Sequence, residues 1–332
     1  MKANEGRERG PRLDSNGSEA LEISDPFVGS SRLIRELAEQ AHKVAGCDSP
    51  VLLHGATGTG KGVLARWLHA HSAHANQPFV DVNCAGLSCE SLETELFGQE
   101  KGAFRGATAV QSGLLELAHR GTIFLDEVMD IDPKVQPKLL RVLEKSRFLR
   151  LGEVCDRSLD IRFIAATQGD LHQLVQEKKF RSDLYFRINT IRLVLPPLSS
   201  RSEDIPALCE CILARVAQKA GLACPSLSPA ALRLLQEYSW PGNVRELRNV
   251  LERALVLGFG PVLRPEHLSF ERDTSLLSTD PGSLTLTDLE KLHIRRVLQE
   301  EHGRVQIAAR RLGIGRSSLY KKIKDYDIAL RP

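Results

Sequence analysis

One stretch constrains the rest of the chain: Val51-Leu52-Leu53-His54-Gly55-Ala56-Thr57-Gly58-Thr59-Gly60-Lys61-Gly62. An apolar run able to form a buried strand ends in a glycine-rich loop. Val63-Leu64-Ala65-Arg66-Trp67-Leu68 then continues as a helix. Strand, loop and helix in this order, with Gly55-x-x-x-x-Gly60-Lys61 between them, form a phosphate-binding loop. Glycine lets backbone N–H groups approach an anion closely. The helix N-terminus adds partial positive charge, and Lys61 is expected to reach the β- and γ-phosphates. Gly55, Ala56, Thr57, Gly58, Thr59, Gly60, Lys61 and Gly62 are thus the candidate nucleotide-binding residues. The Ser or Thr that usually follows the lysine is Gly62, so no hydroxyl there can hold Mg²⁺.

Four more apolar runs read as strands: Phe79–Asn83, Thr122–Leu125, Arg162–Thr167 and Ile191–Leu195. Helical stretches separate them, which predicts an α/β fold with a mostly parallel sheet covered on both faces. Ligands in such sheets sit at the carboxyl ends of strands, where the phosphate loop lies. Thr122-Ile123-Phe124-Leu125 runs into Asp126-Glu127. Asp126 can hold Mg²⁺ through water, and Glu127 can orient an attacking water.

Residues 200–270 read as all-helical. Ser202-Glu203-Asp204 starts one helix, Ser228-Pro229 caps and opens another, and Val244–Leu257 makes a third. Residues 271–284 read as a linker, and residues 1–24, poor in large apolar side chains, as a flexible tail.

Net charge is +3 but uneven: residues 285–332 hold eleven Lys/Arg and six Asp/Glu, while the remainder is −2. A basic end on a near-neutral body points to nucleic acid. Its pattern agrees. Leu289, Leu292, Ile294, Val297 and Leu298 support one helix, and Ile307–Leu312 a short second. After the turn Gly313-Ile314-Gly315, Arg316–Tyr326 forms a basic third helix. This is a helix-turn-helix for double-stranded DNA. Arg316, Ser317, Ser318, Tyr320, Lys321 and Lys322 are its candidate DNA-binding residues.

No apolar run reaches the ~18 residues of a membrane span, and the N-terminus lacks the apolar core of a signal peptide. A cytoplasmic protein with no membrane partner is expected. The seven cysteines contain no C-x-x-C pair and are expected to be reduced. His69, His71 and His74 invite a metal-site reading, but no acid or cysteine completes a set.

Together these residues resemble the sigma-54-dependent transcriptional activators, also called bacterial enhancer-binding proteins, over about residues 26–328. These are AAA+ ATPases with a Fis-type helix-turn-helix. The resemblance implies a AAA+ α/β ATPase core at 25–198, an α-helical lid at 199–270 and the DNA-binding domain at 285–332. It makes Gly55–Lys61 a Walker A motif and Gly121–Glu127 a Walker B motif. Asn83 matches the family's glutamate-switch residue, and Ala165-Ala166-Thr167 matches sensor I. Arg181 and Arg187 match its arginine fingers. Arg245 in Trp240-Pro241-Gly242-Asn243-Val244-Arg245 matches sensor II. Gly102-Ala103-Phe104-Arg105-Gly106-Ala107 matches the loop that contacts the sigma factor, and a second loop is expected near Arg150-Leu151-Gly152. By themselves Arg181 and Arg187 would read as surface ion pairs.

The resemblance implies ATP and Mg²⁺ as cofactors and a hexameric ring, either of one chain or with a related activator. It implies binding to an upstream DNA site and remodelling of sigma-54 RNA polymerase holoenzyme. Residues 1–24 are too few for a sensory domain. Control is therefore expected from a regulatory protein in trans, from expression level or from hetero-oligomer formation.

The chain departs from the pattern at five places. Arg105 replaces the threonine of the sigma-contact loop, Gln168 stands where sensor I ends in Asn, Gly62 replaces the usual Glu, Gly315 replaces a capping Ser or Asn, and Arg304 stands where the family often has Asn. Arg105 motivates the alternative of a DNA-binding regulator on this fold that does not engage sigma-54. A metabolic kinase is disfavoured by the helix-turn-helix.

Overall fold

The computed structural model describes residues 25–86, 88–103, 109–258, 260–270, 294, 298, 305–312 and 314–326. The tail 1–24, the linker 271–284, and Phe104, Arg105, Gly106 and Ala107 lie outside the described residues, as do Leu289, Leu292 and Val297. The chain divides into two compact units, 1–269 and 270–332.

In chain order the first unit runs α1 (Arg32–Ala45), β1 (Val51–His54), α2 (Lys61–Ala70), β2 (Phe79–Asn83), α3 (Cys89–Phe97), β3 (Gly98–Gln99), β4 (Gln111–Ser112), α4 (Leu114–Leu117) and β5 (Thr122–Asp126). It continues through α5 (Gln136–Lys145), β6 (Arg147–Phe148), β7 (Arg157–Ser158), β8 (Arg162–Thr167), α6 (Leu171–Gln176), α7 (Ser182–Ile188) and β9 (Ile191–Val194). Then come a 3-10 segment (Leu198–Asp204), α8 (Ile205–Ala220), β10 (Ser226–Leu227), α9 (Pro229–Glu237), α10 (Asn243–Val256) and β11 (Val262–Leu263).

The predicted strands form one parallel sheet in the order β2-β5-β8-β1-β9. Central strands are buried on both faces, which is why they read as unbroken apolar runs. Successive residues point to opposite sides. Leu52, Ile123, Leu125, Phe163 and Ala165 pack on one face with α3, α4, α5 and α7. Val51, Leu53, Phe124, Ile164 and Ala166 pack on the other with α1 and α2. The edge strand β2 alternates between buried and exposed positions instead.

Arg162, fully buried at the start of β8, donates from Nη1 to Leu68 O and from Nη2 to Val44 O, both at 3.0 Å. It thereby adds a donor to carbonyls in the last turns of α2 and α1. Burial pulls its own pKa down.

The 200–270 stretch is helical apart from a short parallel ladder, β10 with β11. That ladder was not foreseen; two residues per strand carry no period. Ser228 caps α9 by accepting from Ala231 N–H, as its position before Pro229 predicts. The hairpins β3–β4 and β6–β7 were likewise unforeseen.

In the second unit, Val305–Arg311 and Arg316–Asp325 are helical. Ile294, Leu298, Val305, Ala308, Ala309, Leu319 and Ile323 form its core. Small alanines let the helices approach closely, as expected for this turn.

Candidate functional site

The phosphate loop leaves β1 at its carboxyl end and enters α2 through Gly60, whose φ of 106° excludes ordinary side chains. Gly58 has φ 79°, and a Cβ there would lie 2.1 Å from Gly242 O. Loop and helical segment therefore meet backbone to backbone. Arg245 N–H donates to Gly58 O at 3.2 Å, which sets Arg245 over the loop.

Lys61 is buried, and its Nζ donates to Gly55 O at 3.0 Å and to Glu127 Oε1 at 3.3 Å. Glu127 sits just past β5 with φ 53°, in the left-handed region. Its Oε2 accepts from Gln168 N–H at 3.3 Å. Gln168 Oε1 in turn accepts from the Thr57 hydroxyl. The side chain one methylene longer than Asn thus spans from sensor I to the phosphate loop.

Asp126, at the end of β5, has its carboxyl pKa raised by burial and then by the adjacent Glu127. Two crowded acids, both half-buried, make an arrangement that a divalent cation would relieve. Asn83 lies in register with Asp126 on the neighbouring strand. Its Oδ1 accepts from Ala85 N–H at 3.0 Å, at the turn leading into α3.

A cavity of about 990 Å³ opens beside this loop. Thr59 and Gly60 border it. Pro26 and Val28 on the segment before α1, Leu195 after β9, and Leu208 and Ile212 on α8 supply its apolar lining. Asp204 holds the segment before α1 in place. Its Oδ1 accepts from Ser30 and Ser31 N–H at 2.7 and 2.8 Å, and its Oδ2 from the Ser31 hydroxyl at 2.6 Å.

Sequence reasoning missed Asn243. It is buried, with φ 51°. Its Nδ2 donates to Thr57 O at 2.9 Å, and its Oδ1 accepts from Leu198 N–H at 2.8 Å. One carboxamide thus ties helix α10 to both the phosphate loop and the connector after β9. The only sequence signal was its place in the Trp-Pro-Gly-Asn turn.

Arg181 precedes α7 and Arg187 lies in its last turn, away from the loop's own bonds. Arg181 pairs with Asp183 at 2.8 Å, and Arg187 donates from Nε and Nη2 to Leu143 O at 3.2 and 3.0 Å. Both side chains are exposed, and so is Phe186 beside them.

The two hairpins join at Arg150. Its guanidinium donates to both Glu116 oxygens and to Glu100 Oε1, each at 2.7 Å. The bonds to Glu116, with the one to Glu100, raise the Arg150 pKa, and the Arg150 bonds lower that of Glu116. A Cβ on Gly152 would lie 2.9 Å from Ala103 Cα, so the second loop rests against the foot of the first. Gly102 and Ala103 are that foot; the tip lies beyond the described residues. No local spacing could reveal Arg150, because its acids are 34 and 50 residues away.

The three histidines turn to different partners: His69 to Thr122, His71 to Trp67 O, and His74 to Arg120 O and Asp48. Burial, with Arg162 nearby, pushes His69 down to about 4. Among the described residues no group of three or more His, Cys, Asp or Glu is placed to hold a metal ion. Among them, too, no helix is long and apolar enough to cross a membrane.

In the second unit Arg316, Ser318, Tyr320 and Lys321 are exposed along the Arg316–Asp325 helix, with Lys322 half-buried and Ser317 in the same run. The Arg316 guanidinium lies 5.7 Å from the Tyr320 ring centroid.

Comparison with known proteins matches residues 27–194 to the sigma-54 interaction domain and 199–283 to the AAA+ ATPase lid domain. Residues 285–326 match the Fis family of bacterial regulatory proteins. The alginate biosynthesis transcriptional regulatory protein AlgB of Pseudomonas aeruginosa is 41% identical over 319 residues, which cover 96% of this chain and 71% of that protein. The transcriptional regulatory protein ZraR of Klebsiella oxytoca is 43% identical over 307 residues, covering 90% of this chain and 68% of that one. The crystal structure of NtrX from Brucella abortus in complex with ATP aligns with a TM-score of 0.68 at 33% identity, covering 91% of this chain and 69% of that one. A phosphate loop facing two strand-end acids, a helical lid and a helix-turn-helix, matched in that order, place the chain in the family of sigma-54-dependent transcriptional activators, AAA+ proteins with a Fis-type DNA-binding domain.

Proposed function

We propose that this protein is an ATP-hydrolysing transcriptional activator that binds an upstream DNA site and acts on sigma-54 RNA polymerase holoenzyme. The observation that carries the reading is the convergence of Lys61, Asp126, Glu127 and Gln168 around the end of the phosphate loop.

The loop N–H groups and Lys61 bind the phosphates of ATP, and the base occupies the cavity beside the loop. Asp126 would hold Mg²⁺ through water; when bound, the ion supplies positive charge to the β- and γ-phosphate oxygens. Glu127 gives up its contact with Lys61 and orients the attacking water. Arg245 reads the nucleotide from the lid. Arg181 and Arg187 act on the site of a neighbouring copy, in a ring of this chain or with a related activator. Their bonds here, to Asp183 and to the last turn of α5, leave them outside their own chain's site. A head-to-tail interface that closes makes such a ring.

Glu127 is coupled to the sigma-contact loop through β2. Asn83 stands beside Asp126, and the chain beyond it runs through α3 to β3 and Gly102-Ala103. The Arg150 cluster makes the second hairpin move with the first.

ATP hydrolysis measured against protein concentration tests this reading. Specific activity should rise steeply with concentration, and Glu127→Ala and Arg187→Ala should each abolish it. Hydrolysis untouched by both changes would sink the mechanism.

Arg105 favours a second reading, a regulator on this fold that does not engage sigma-54. ATP-dependent open-complex formation separates the two. Failure by the wild type, with gain on Arg105→Thr, establishes the second.

A further inference from the structure

Two arginines are buried among the described residues of the first unit, and they are used differently. Arg162 has an unpartnered Nε, but both its terminal nitrogens are bonded to helix carbonyls. That is a structural arginine. Arg201 is 3% exposed, its Nε also has no partner, and it lines the cavity beside the phosphate loop. Its backbone breaks the 3-10 segment, with φ −137° and ψ 45°. The acid three residues on, Asp204, spends its oxygens on Ser30 and Ser31. Asp204 still attracts the guanidinium through space, but a buried Nε left without an acceptor is costly.

The surroundings specify what the acceptor is. One end of the cavity is the phosphate loop, at Thr59 and Gly60. Val28, Leu37, Leu195, Leu208 and Ile212 give it an apolar stretch, and Arg66, Arg215, Lys219 and Arg248 bring further positive charge to its lining. A ligand with an anionic end, a flat apolar body and acceptor atoms on that body fits all three features. A purine nucleoside triphosphate has them: its ring nitrogens accept hydrogen bonds and its faces are apolar.

We propose that Arg201 is a specificity-determining residue of the nucleotide site, donating to ring nitrogens of the purine base. This rests on the nucleotide-binding reading above and adds to it the residue that selects the base. Binding gives the guanidinium its missing acceptor, so the base, not the phosphates, carries the interaction. Arg201 lies in the connector between β9 and α8, so an occupied base pocket also fixes the start of the lid helix.

The test compares ATP with inorganic tripolyphosphate, both as competitors of a fluorescent nucleotide, on the full chain. Arg201→Met keeps the length and volume and removes the donors. Loss of a charge-assisted hydrogen bond should weaken ATP about tenfold or more, while tripolyphosphate stays within about twofold. The nucleotide-free melting temperature should hold or rise, since an unpaired buried charge has been replaced by an apolar chain. Arg201→Lys, which keeps the charge and loses the fork, should show the same selective loss. ATP binding unchanged in both variants overturns the proposal. So does an equal loss of both ligands, or a lower melting temperature with ATP affinity retained. Wild type that binds tripolyphosphate and ATP, with variants that bind ATP equally well, defeats this inference alone. Wild type that binds neither defeats the nucleotide reading with it.

Discussion

The two halves of the proposed catalytic centre are built in opposite ways. Lys61, Glu127, Gln168 and Thr57 are already bonded to one another inside one chain, at the end of the sheet. Arg181 and Arg187 sit exposed on α7, held by an ion pair and a helix-end carbonyl. An exposed pair such as Arg181–Asp183 is screened by solvent, so little holds that arginine back. The first half is rigid because its geometry must exist before ATP arrives. The second is held only by surface contacts, as its proposed action on a neighbouring copy requires. The contrast teaches that hydrolysis should be a property of assembly, although each chain holds a complete phosphate cradle.

The largest effect tests that contrast directly. Arg187→Ala and Lys61→Ala should each lower hydrolysis by about 10³–10⁵-fold, the range of a transferred arginine finger. Mixing the two inactive variants should restore part of the activity, because some interfaces then pair an intact loop with an intact arginine. A mixture as dead as its parts would place Arg187 in its own chain's site.

Next is the stiffness of the built half. Asn243→Ala removes two buried hydrogen bonds at a left-handed residue and leaves Leu198 N–H without its acceptor. It should cost about 1–3 kcal/mol in chemical denaturation. No loss would mean that the lid is not tied to the loop in solution.

A smaller effect comes from Asp126. Burial and Glu127 raise its folded-state pKa, so the folded form holds that proton more tightly than the unfolded chain does. Its contribution to stability is full below the ordinary carboxylate pKa and is lost as pH rises through the raised value. At neutral pH the nucleotide-free Asp126→Asn protein should therefore melt above wild type, with the gap closing as pH falls. A variant that melts lower would show that the carboxylate is compensated within the chain.

The smallest change is Gly62→Ala. The new methyl would meet only Phe124, at 3.8 Å, inside the first turn of α2. It should raise stability by about 0.5–1 kcal/mol, read as a higher melting temperature, without altering the loop.

The strands of the sheet were legible because burial on both faces leaves no room for polar residues in Val51–Leu53 or Phe163–Ala166. The phosphate loop was legible because its glycines and lysine are contiguous. Neither condition holds at the hairpins, where two-residue ladders have no period and Arg150 finds its acids across the fold. Asn243 was hidden for the same reason: its partner Thr57 is 186 residues away. Arg181 shows the opposite case. Its own residues spelled a local ion pair, which is what the single chain forms, and only the family pattern supplied a second destination for it.

The meeting of Gly58 with Gly242 has one more consequence. At that seam the phosphate cradle and the lid touch backbone to backbone, so little there can absorb a displacement. A rotation of the lid is geared straight into the loop, as a cog drives a cog with no cushion between the teeth. A residue of any size at position 58 would act as a wedge, propping the jaw open while leaving every charged group of the site intact.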